Sequence, residues 1–371
     1  MKIQEYMREN EKWEEILMKK PFSLRVEREG EYVLLKYNQV ESDFTQEIVR
    51  ECRGIIFNEE ENYKAVCVPF YKFGNYGEGY AHEIDWNTAR VQEKVDGSLI
   101  KVWFDKEWHV STNGKINAYD CEICATDLIK AKIPYKTFGE LFDVAKENAN
   151  LDFDSLNKEY TYMFELVSPY NKIVVSYPKI EIYHIGTRNN ITLEELDIDI
   201  GVKKPKMYSL KTLEDCLDTT SKMSYNEEGY VVVDAKWDRV KIKSPAYVAA
   251  HHLKNNGEVN IASIVSMIRK NEKDEFLGYF PEYKEDFEDI EGKIDLIISK
   301  IECDFDRIKV MQFDTKKDFA LQVKDLKYRG FNYSGFFFSW WNDKTIEPKK
   351  WFWDNQSDNK IKEMIKCVNQ H

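Results

Sequence analysis

The stretch EKVDGSLIKVWF, residues 93–104, decides how this chain is read. SLIKVWF (Ser98–Phe104) has the β-branched and aromatic content of a strand. WHVST (Trp108–Thr112) follows after Asp105, Lys106 and Glu107, so the two segments predict a hairpin. Just ahead stand Lys94, Asp96 and Gly97, in a strand–loop–strand crossing where glycine permits a tight turn and close approach of a ligand. A lysine amine is a competent nucleophile only when deprotonated, which requires desolvation or neighbouring cations. Taken alone the motif says little, since a KxDG arises by chance in roughly five per cent of chains this long and a surface lysine before a turn explains it.

Outward from this hairpin the strand signal repeats. FSLRVER from Phe22 and EYVLLKY from Glu31 form a strand pair, and GIIFN (Gly54–Asn58) with YKAVCV (Tyr63–Val68) forms another. Helical stretches follow at Cys121–Lys132 and Thr137–Asn148, and an opening helix runs to about Lys19. Strands resume at YTYMFEL (Tyr160–Leu166), IEIYHIG (Ile180–Gly186), GYVVVD (Gly229–Asp234) and RVKIK (Arg239–Lys243). The pattern predicts an α+β fold on antiparallel sheets. Beyond Val248 the chain turns helical, with Phe287, Ile290, Ile294, Ile297, Ile301, Phe305 and Ile308 forming one apolar stripe. Two domains are therefore expected, residues 1–247 and an all-helical 248–371, and the length of 371 residues suits two cores.

Composition narrows the function. With 14% aromatic and 43% hydrophobic residues the chain has ample material to bury, which excludes a disordered protein. The net charge of −12 argues against coating nucleic acid by bulk charge, though a local basic groove remains compatible with it. No apolar run is long enough to span a membrane, and the charged N-terminus lacks the apolar core of a secretion signal. Seven scattered cysteines indicate a reducing, cytoplasmic setting, and the lone CxxC (Cys121, Cys124) lacks the second ligand pair that zinc needs.

Several charged residues sit where strands begin, end or are otherwise apolar. Arg53 opens RGIIFN, Lys72 precedes Phe73 in YKFGN, and Glu165 interrupts the apolar strand of FELVSPYNKIV. Glu228 precedes Gly229 in EEGYVVVD, and Lys241 and Lys243 lie two apart, on one face of a strand. Each singly is explained by an ion pair or a solvated strand face; the ordered set is not.

Together with Tyr37, KVDGSL and KIKSPAYV, this set resembles the RNA ligase 1 family of T-even bacteriophages, within the covalent nucleotidyltransferases, from about Tyr37 to Tyr247. The resemblance implies an ATP-grasp-like nucleotidyltransferase domain and an ATP-dependent RNA ligase that joins a 5′-phosphate to a 3′-hydroxyl. It assigns Lys94 as the nucleophile that takes AMP, Glu165 to the nucleotide ribose, and Glu228 to the nucleotide and a magnesium or manganese ion. Lys72, Lys241 and Lys243 would screen phosphate charge and lower the proton affinity of Lys94. Arg53 would hold the ribose or the RNA phosphate. Tyr37 and Phe73 suit either an adenine pocket or ordinary core packing, and Tyr247 matches a position important for ligation. Where the family has a lysine before a glycine, this chain has Asn113 before Gly114; Lys115 is the candidate substitute.

The resemblance further implies a monomer in the cytoplasm (the host cytoplasm if phage-encoded) acting on broken RNA, including a nicked tRNA anticodon loop. Nick-sealing RNA ligase and an inactive RNA-binding relative are the competing readings. DNA ligases and capping enzymes carry a strand-rich barrel where this chain is helical. The aromatic segments NYSGFFFSWW (Asn332–Trp341) and KKWFW (Lys349–Trp353) suit either a helical core or a stacking platform for bases.

Overall fold

In chain order the strands of the first part are β1 (Arg25–Glu29), β2 (Tyr32–Lys36), β3 (Arg53–Asn58), β4 (Lys64–Cys67), β5 (Arg90–Glu93), β6 (Ser98–Asp105), β7 (Glu107–Thr112), β8 (Tyr160–Val167), β9 (Glu181–Asn189), β10 (Glu195–Leu196), β11 (Met207–Tyr208), β12 (Gly229–Val233) and β13 (Arg239–Lys243). They form three sheets, ordered β1-β2-β3-β4, β10-β9-β8-β6-β7 and β11-β5-β12-β13, antiparallel throughout. The computed structural model describes residues 1–123, 135–252, 260–328 and 331–368, which divide into two compact units, Met1–His251 and His252–His371. The division drawn from sequence, after residue 247, falls inside the helix Pro245–His252.

Period-two alternation sorts side chains into separate cores. In β2, Val33 and Leu35 join Ile3, Trp13, Leu17, Ile55 and Phe57, while Tyr32 and Leu34 face the other way with Ile56 and Trp103. The first sheet is thus buried on both faces, which explains why EYVLLKY reads as a nearly continuous apolar run. In β6, Ile100 and Val102 pack with Leu141, Phe142 and Ala145 of the helix Phe138–Asn148, while Trp103 points to the first sheet. That helix starts at a capping box, in which the Thr137 side chain accepts from Glu140 N and the Glu140 carboxylate accepts from Thr137 N. A buried ion triad joins the second sheet to the third, with Glu195 accepting from Arg188 Nη2 and Arg239 Nη2, each at 2.5 Å.

Departures from the sequence reading are local. The opening segment is two helices, Lys2–Glu9 and Trp13–Leu17, and not one. Cys121 to Ile123 are not helical, and the remainder of the expected helix, with Cys124, lies outside the described residues. In the second unit the helix Lys284–Lys309 buries Phe287, Ile290, Ile294, Ile297, Ile298, Ile301 and Ile308. A strand pair of two residues each, Lys327–Tyr328 with Phe331–Asn332, interrupts the helices of that unit. No helix among the described residues is long and apolar enough to cross a membrane.

Candidate active site

Lys94 to Gly97 bridge β5 of the third sheet and β6 of the second, so the motif lies where two sheets meet. Close approach explains the glycine: a Cβ on Gly97 would lie 2.4 Å from the Leu166 carbonyl oxygen and 2.9 Å from Val167 Cγ1. Gly97 N donates to Glu165 Oε1 at 3.2 Å, fixing the glutamate of β8 under the loop. Asp96 is buried and anchors the loop, its Oδ2 accepting from Val174 N (3.0 Å) and Val175 N (2.7 Å). Its Oδ1 accepts from the Tyr247 hydroxyl at 2.8 Å, and its own N–H donates to the Tyr177 hydroxyl at 3.2 Å. Tyr247, whose part sequence could not supply, is thus a positioning residue for the motif.

Lys94 keeps a fifth of its side chain exposed, and its Nζ donates to Glu228 Oε2 at 2.7 Å. Its backbone N–H donates to Gly229 O at 2.8 Å, so the third sheet holds the residue from both ends. Gly229 takes a φ of +127°, and a Cβ there would lie 2.2 Å from Ile242 O, a position only glycine fits. Lys243 Nζ lies 3.9 Å from Glu228 Oε1. The sequence reading surrounded Lys94 with cations; its nearest charged neighbour is instead a carboxylate, because the register of β12 against β13 places Glu228 between the two lysines.

Both carboxyls are electrostatically strained. Burial pushes Glu165 up to about 7, the nearby Glu228 adds to the shift, and Lys94 and Arg53 oppose it. The Glu165 carboxyl is enclosed although the residue as a whole is partly exposed. Burial likewise raises Glu228, against the pull of Lys94 and Lys243. Among the described residues no three His, Cys, Asp or Glu gather into a metal cage. Two carboxyls flanking one amine do fit an ion of the magnesium class, which takes one or two protein carboxylates and completes its shell with phosphates and water.

The remaining candidates fall into distinct settings. Phe73 carries two cations over its ring, Arg53 at 5.4 Å and Lys241 at 5.3 Å. Lys241 also joins the chain after Phe73 by main-chain bonds, its N–H to Gly74 O and its carbonyl from Tyr76 N. Lys72 is buried in an aromatic box of Phe44 (4.9 Å), Tyr37 (5.3 Å) and Tyr80 (5.8 Å). A cavity of about 320 Å³ includes Lys72, Phe73, Arg50 and Arg239 in its walls but not Lys94, Glu165 or Glu228. Tyr37 packs edge-on against Phe44 at 5.1 Å, as a core residue does. Lys115 pairs with Glu27 of β1 and is part-exposed, so the ammonium expected to replace a lysine at position 113 is engaged elsewhere. Sequence reading passed over Tyr177 and Lys101; the latter, a charge inside the apolar run SLIKVWF, carries the same signal that marked Glu165.

A family model described as RNA ligase, of the T4 RNA ligase 1 type, matches residues 51–247. A bifunctional polynucleotide kinase/RNA ligase, so named in Autographa californica nuclear polyhedrosis virus, is 30% identical over 276 residues, which are 69% of this chain and 38% of the viral protein. An RNA ligase of Rhodothermus phage RM378 is 29% identical over 163 residues, 37% of each chain. The chain therefore spans well under half the length of these two curated relatives. Among solved structures, an archaeal ATP-dependent RNA ligase is similar with a TM-score of 0.41 and 15% identity, covering 64% of this chain and 62% of the other. Matched across more than half its length by the family model, the chain belongs to the T4 RNA ligase 1 family of RNA ligases.

Proposed function

We propose that this chain is an ATP-dependent RNA ligase that uses Lys94 as its nucleophile. The observation that carries the reading is the setting of that amine. It lies in a glycine-bearing loop between two sheets, bonded to buried Glu228, with Glu165 beneath and Lys243 on the far side of Glu228. Lys94 Nζ gives up a proton, for which Glu228 Oε2 is the adjacent acceptor, and attacks the α-phosphorus of ATP. The N–P bond forms as pyrophosphate leaves with the bonding electrons. A 5′-phosphate oxygen of RNA then displaces the lysine to give an RNA adenylate, and a 3′-hydroxyl attacks that 5′-phosphorus and expels AMP.

Lys241 and Lys243 stabilise the charge that gathers on the transferring phosphoryl group. Arg53, whose Nη1 is buried without a hydrogen-bond partner, has a donor free for a ribose or phosphate oxygen. Glu165 takes the ribose side of the nucleotide, and Glu228 is the carboxylate for magnesium or manganese, an ion that would neutralise phosphate charge. Phe73, with Arg53 and Lys241 over its ring, is the aromatic flank of the nucleotide site in this reading, and Lys72 lends its charge from the aromatic box in which Tyr37 packs as core.

The substrate we propose is RNA broken to 5′-phosphate and 3′-hydroxyl ends, a nicked tRNA anticodon loop among them, with the enzyme acting as a monomer. A viral relative named for both kinase and ligase activities favours repair of broken ends, since a kinase supplies the 5′-phosphate. Incubating the protein with labelled ATP and magnesium tests the chemistry: the wild type acquires an acid-labile AMP adduct and Lys94→Ala acquires none. Labelling that survives this substitution moves the nucleophile elsewhere.

A further inference from the structure

Where the first and second sheets meet, three cations, Lys36, Arg53 and Lys101, gather without an ion-pair partner among the described residues. Lys36 ends β2 and Arg53 begins β3, and the two face each other across the ladder, where like charges repel. Lys101 enters from β6, fully buried, on the same face as Trp103 and toward the first sheet; its amine donates to the Gly54 carbonyl. Among the described residues none of the three forms an ion pair, and Arg53 Nη1 is a buried donor with no partner. Lys36 and Arg53 are part-exposed and Lys101 is fully buried, and an uncompensated charge at the buried position is costly.

The backbone around them is shaped to leave room. Gly54 has a φ of +77°, and a Cβ there would lie 2.6 Å from Asn113 O and 3.0 Å from Lys101 Nζ. A Cβ on Gly114 would lie 3.3 Å from Lys36 Nζ. Two glycines thus draw the β3 edge and the turn after β7 around the amines. The side-chain Oδ1 of Asn113 is buried without a donor, and a half-turn of that side-chain amide would present N–H groups instead. Burial, with Arg53 and Lys36 nearby, pulls Lys101 down to about 8, so the charge is resisted but still present at neutral pH. Arg53 shares the Phe73 ring with Lys241, two residues along β13 from Lys243, whose Nζ lies 3.9 Å from the Glu228 that pairs with Lys94, so the cluster lies on the side of the proposed nucleophile.

We propose that Lys36 and Lys101 join Arg53 in a phosphate-binding site between the two sheets, beside Lys94. The proposal rests on the ligase reading and deepens it. The phosphoryl group it holds comes either from the β,γ-phosphates of ATP or from the 5′-end of RNA, and each source enters at a different step.

Lys36→Met and Lys101→Met test this against the full-length wild type, in three assays. They are adenylation by ATP, transfer from isolated enzyme–AMP to a 5′-phosphorylated oligoribonucleotide, and sealing of a pre-adenylated oligoribonucleotide without ATP. Loss of a charge-assisted contact should raise KM by about tenfold or more at the phosphate's step. A rise for ATP in the first assay assigns the site to ATP, and a rise for RNA in the second or third assigns it to the RNA end. In thermal melts without ligand each variant should melt higher than wild type, because repulsion is relieved, and added inorganic pyrophosphate or phosphate should stabilise the wild type more than either variant. Values within about twofold of wild type in all three assays, with unchanged anion-dependent melting, would overturn the site. A wild type that takes no label from ATP would instead overturn the ligase reading itself.

Discussion

At the scale of single residues, the site is governed by what holds Lys94 and Asp96. Tyr247 reaches Asp96 with one buried hydrogen bond at 2.8 Å. Removing the hydroxyl in Tyr247→Phe leaves Asp96 short of a donor, a loss of about 1–3 kcal/mol. We expect a lower melting temperature and slower adenylation with little change in the KM for ATP, and an unaltered rate would remove Tyr247 from the positioning role. The Glu165 carboxyl gives a pH prediction. Its folded value of about 7 lies above its ordinary 4.5, so the folded chain holds a proton that the unfolded chain releases between those values. Stability contributed by this group is therefore full below about 4.5 and is lost as pH rises through about 7. Glu165→Gln should flatten that fall, and chemical denaturation across the range measures it. The charged residues of the site were legible because each breaks a local pattern: a glutamate in an apolar strand, paired lysines on one strand face, a lysine ahead of Asp-Gly. Partners were not legible, since the Glu228–Lys94 bond joins residues 134 positions apart and depends on register alone.

At the scale of elements, the loop between β5 and β6 is the tightest construction. Gly97→Ala would push a methyl group into the Leu166 carbonyl oxygen at 2.4 Å, which belongs to the rigid main chain of β8. Overpacking of this kind costs about 1–3 kcal/mol, and the shift falls directly on Lys94. We expect impaired adenylation together with a lower melting temperature; an active, equally stable variant would show that β6 and β8 can part. Long strands such as β6 and β8 were visible in the sequence because their apolar runs exceed anything a loop requires. The two-residue strands β10 and β11 were not, since such short segments owe their form to neighbours already in place. The opening segment shows the same limit: its charges suit a helix, but burial of Trp13 and Leu17 separates it into two.

At the scale of the whole molecule, the division into two units sets what each can be asked to do. Every residue we assign to nucleotide chemistry lies in Met1–His251. In the second unit Phe336, Phe337, Trp351 and Phe352 are buried, so most of the aromatic segments form core. Trp340 and Trp341 remain part-exposed, packed against Phe305 and Phe319 respectively, with Lys344 Nζ over them at 3.5 and 4.6 Å. Removing residues 252–371 should leave adenylation of Lys94 intact and reduce sealing of a broken tRNA more than sealing of a linear oligoribonucleotide. Equal loss on both substrates would count against RNA selection by this unit. The placement of Lys94 on the connection between the second and third sheets has one more result. An adduct there deposits a bulky anion on the seam, where neither sheet can absorb it alone. Charged and uncharged forms of the enzyme should then differ in amide exchange along β5, β8 and β12, making the covalent state readable from backbone breathing well away from the modified nitrogen.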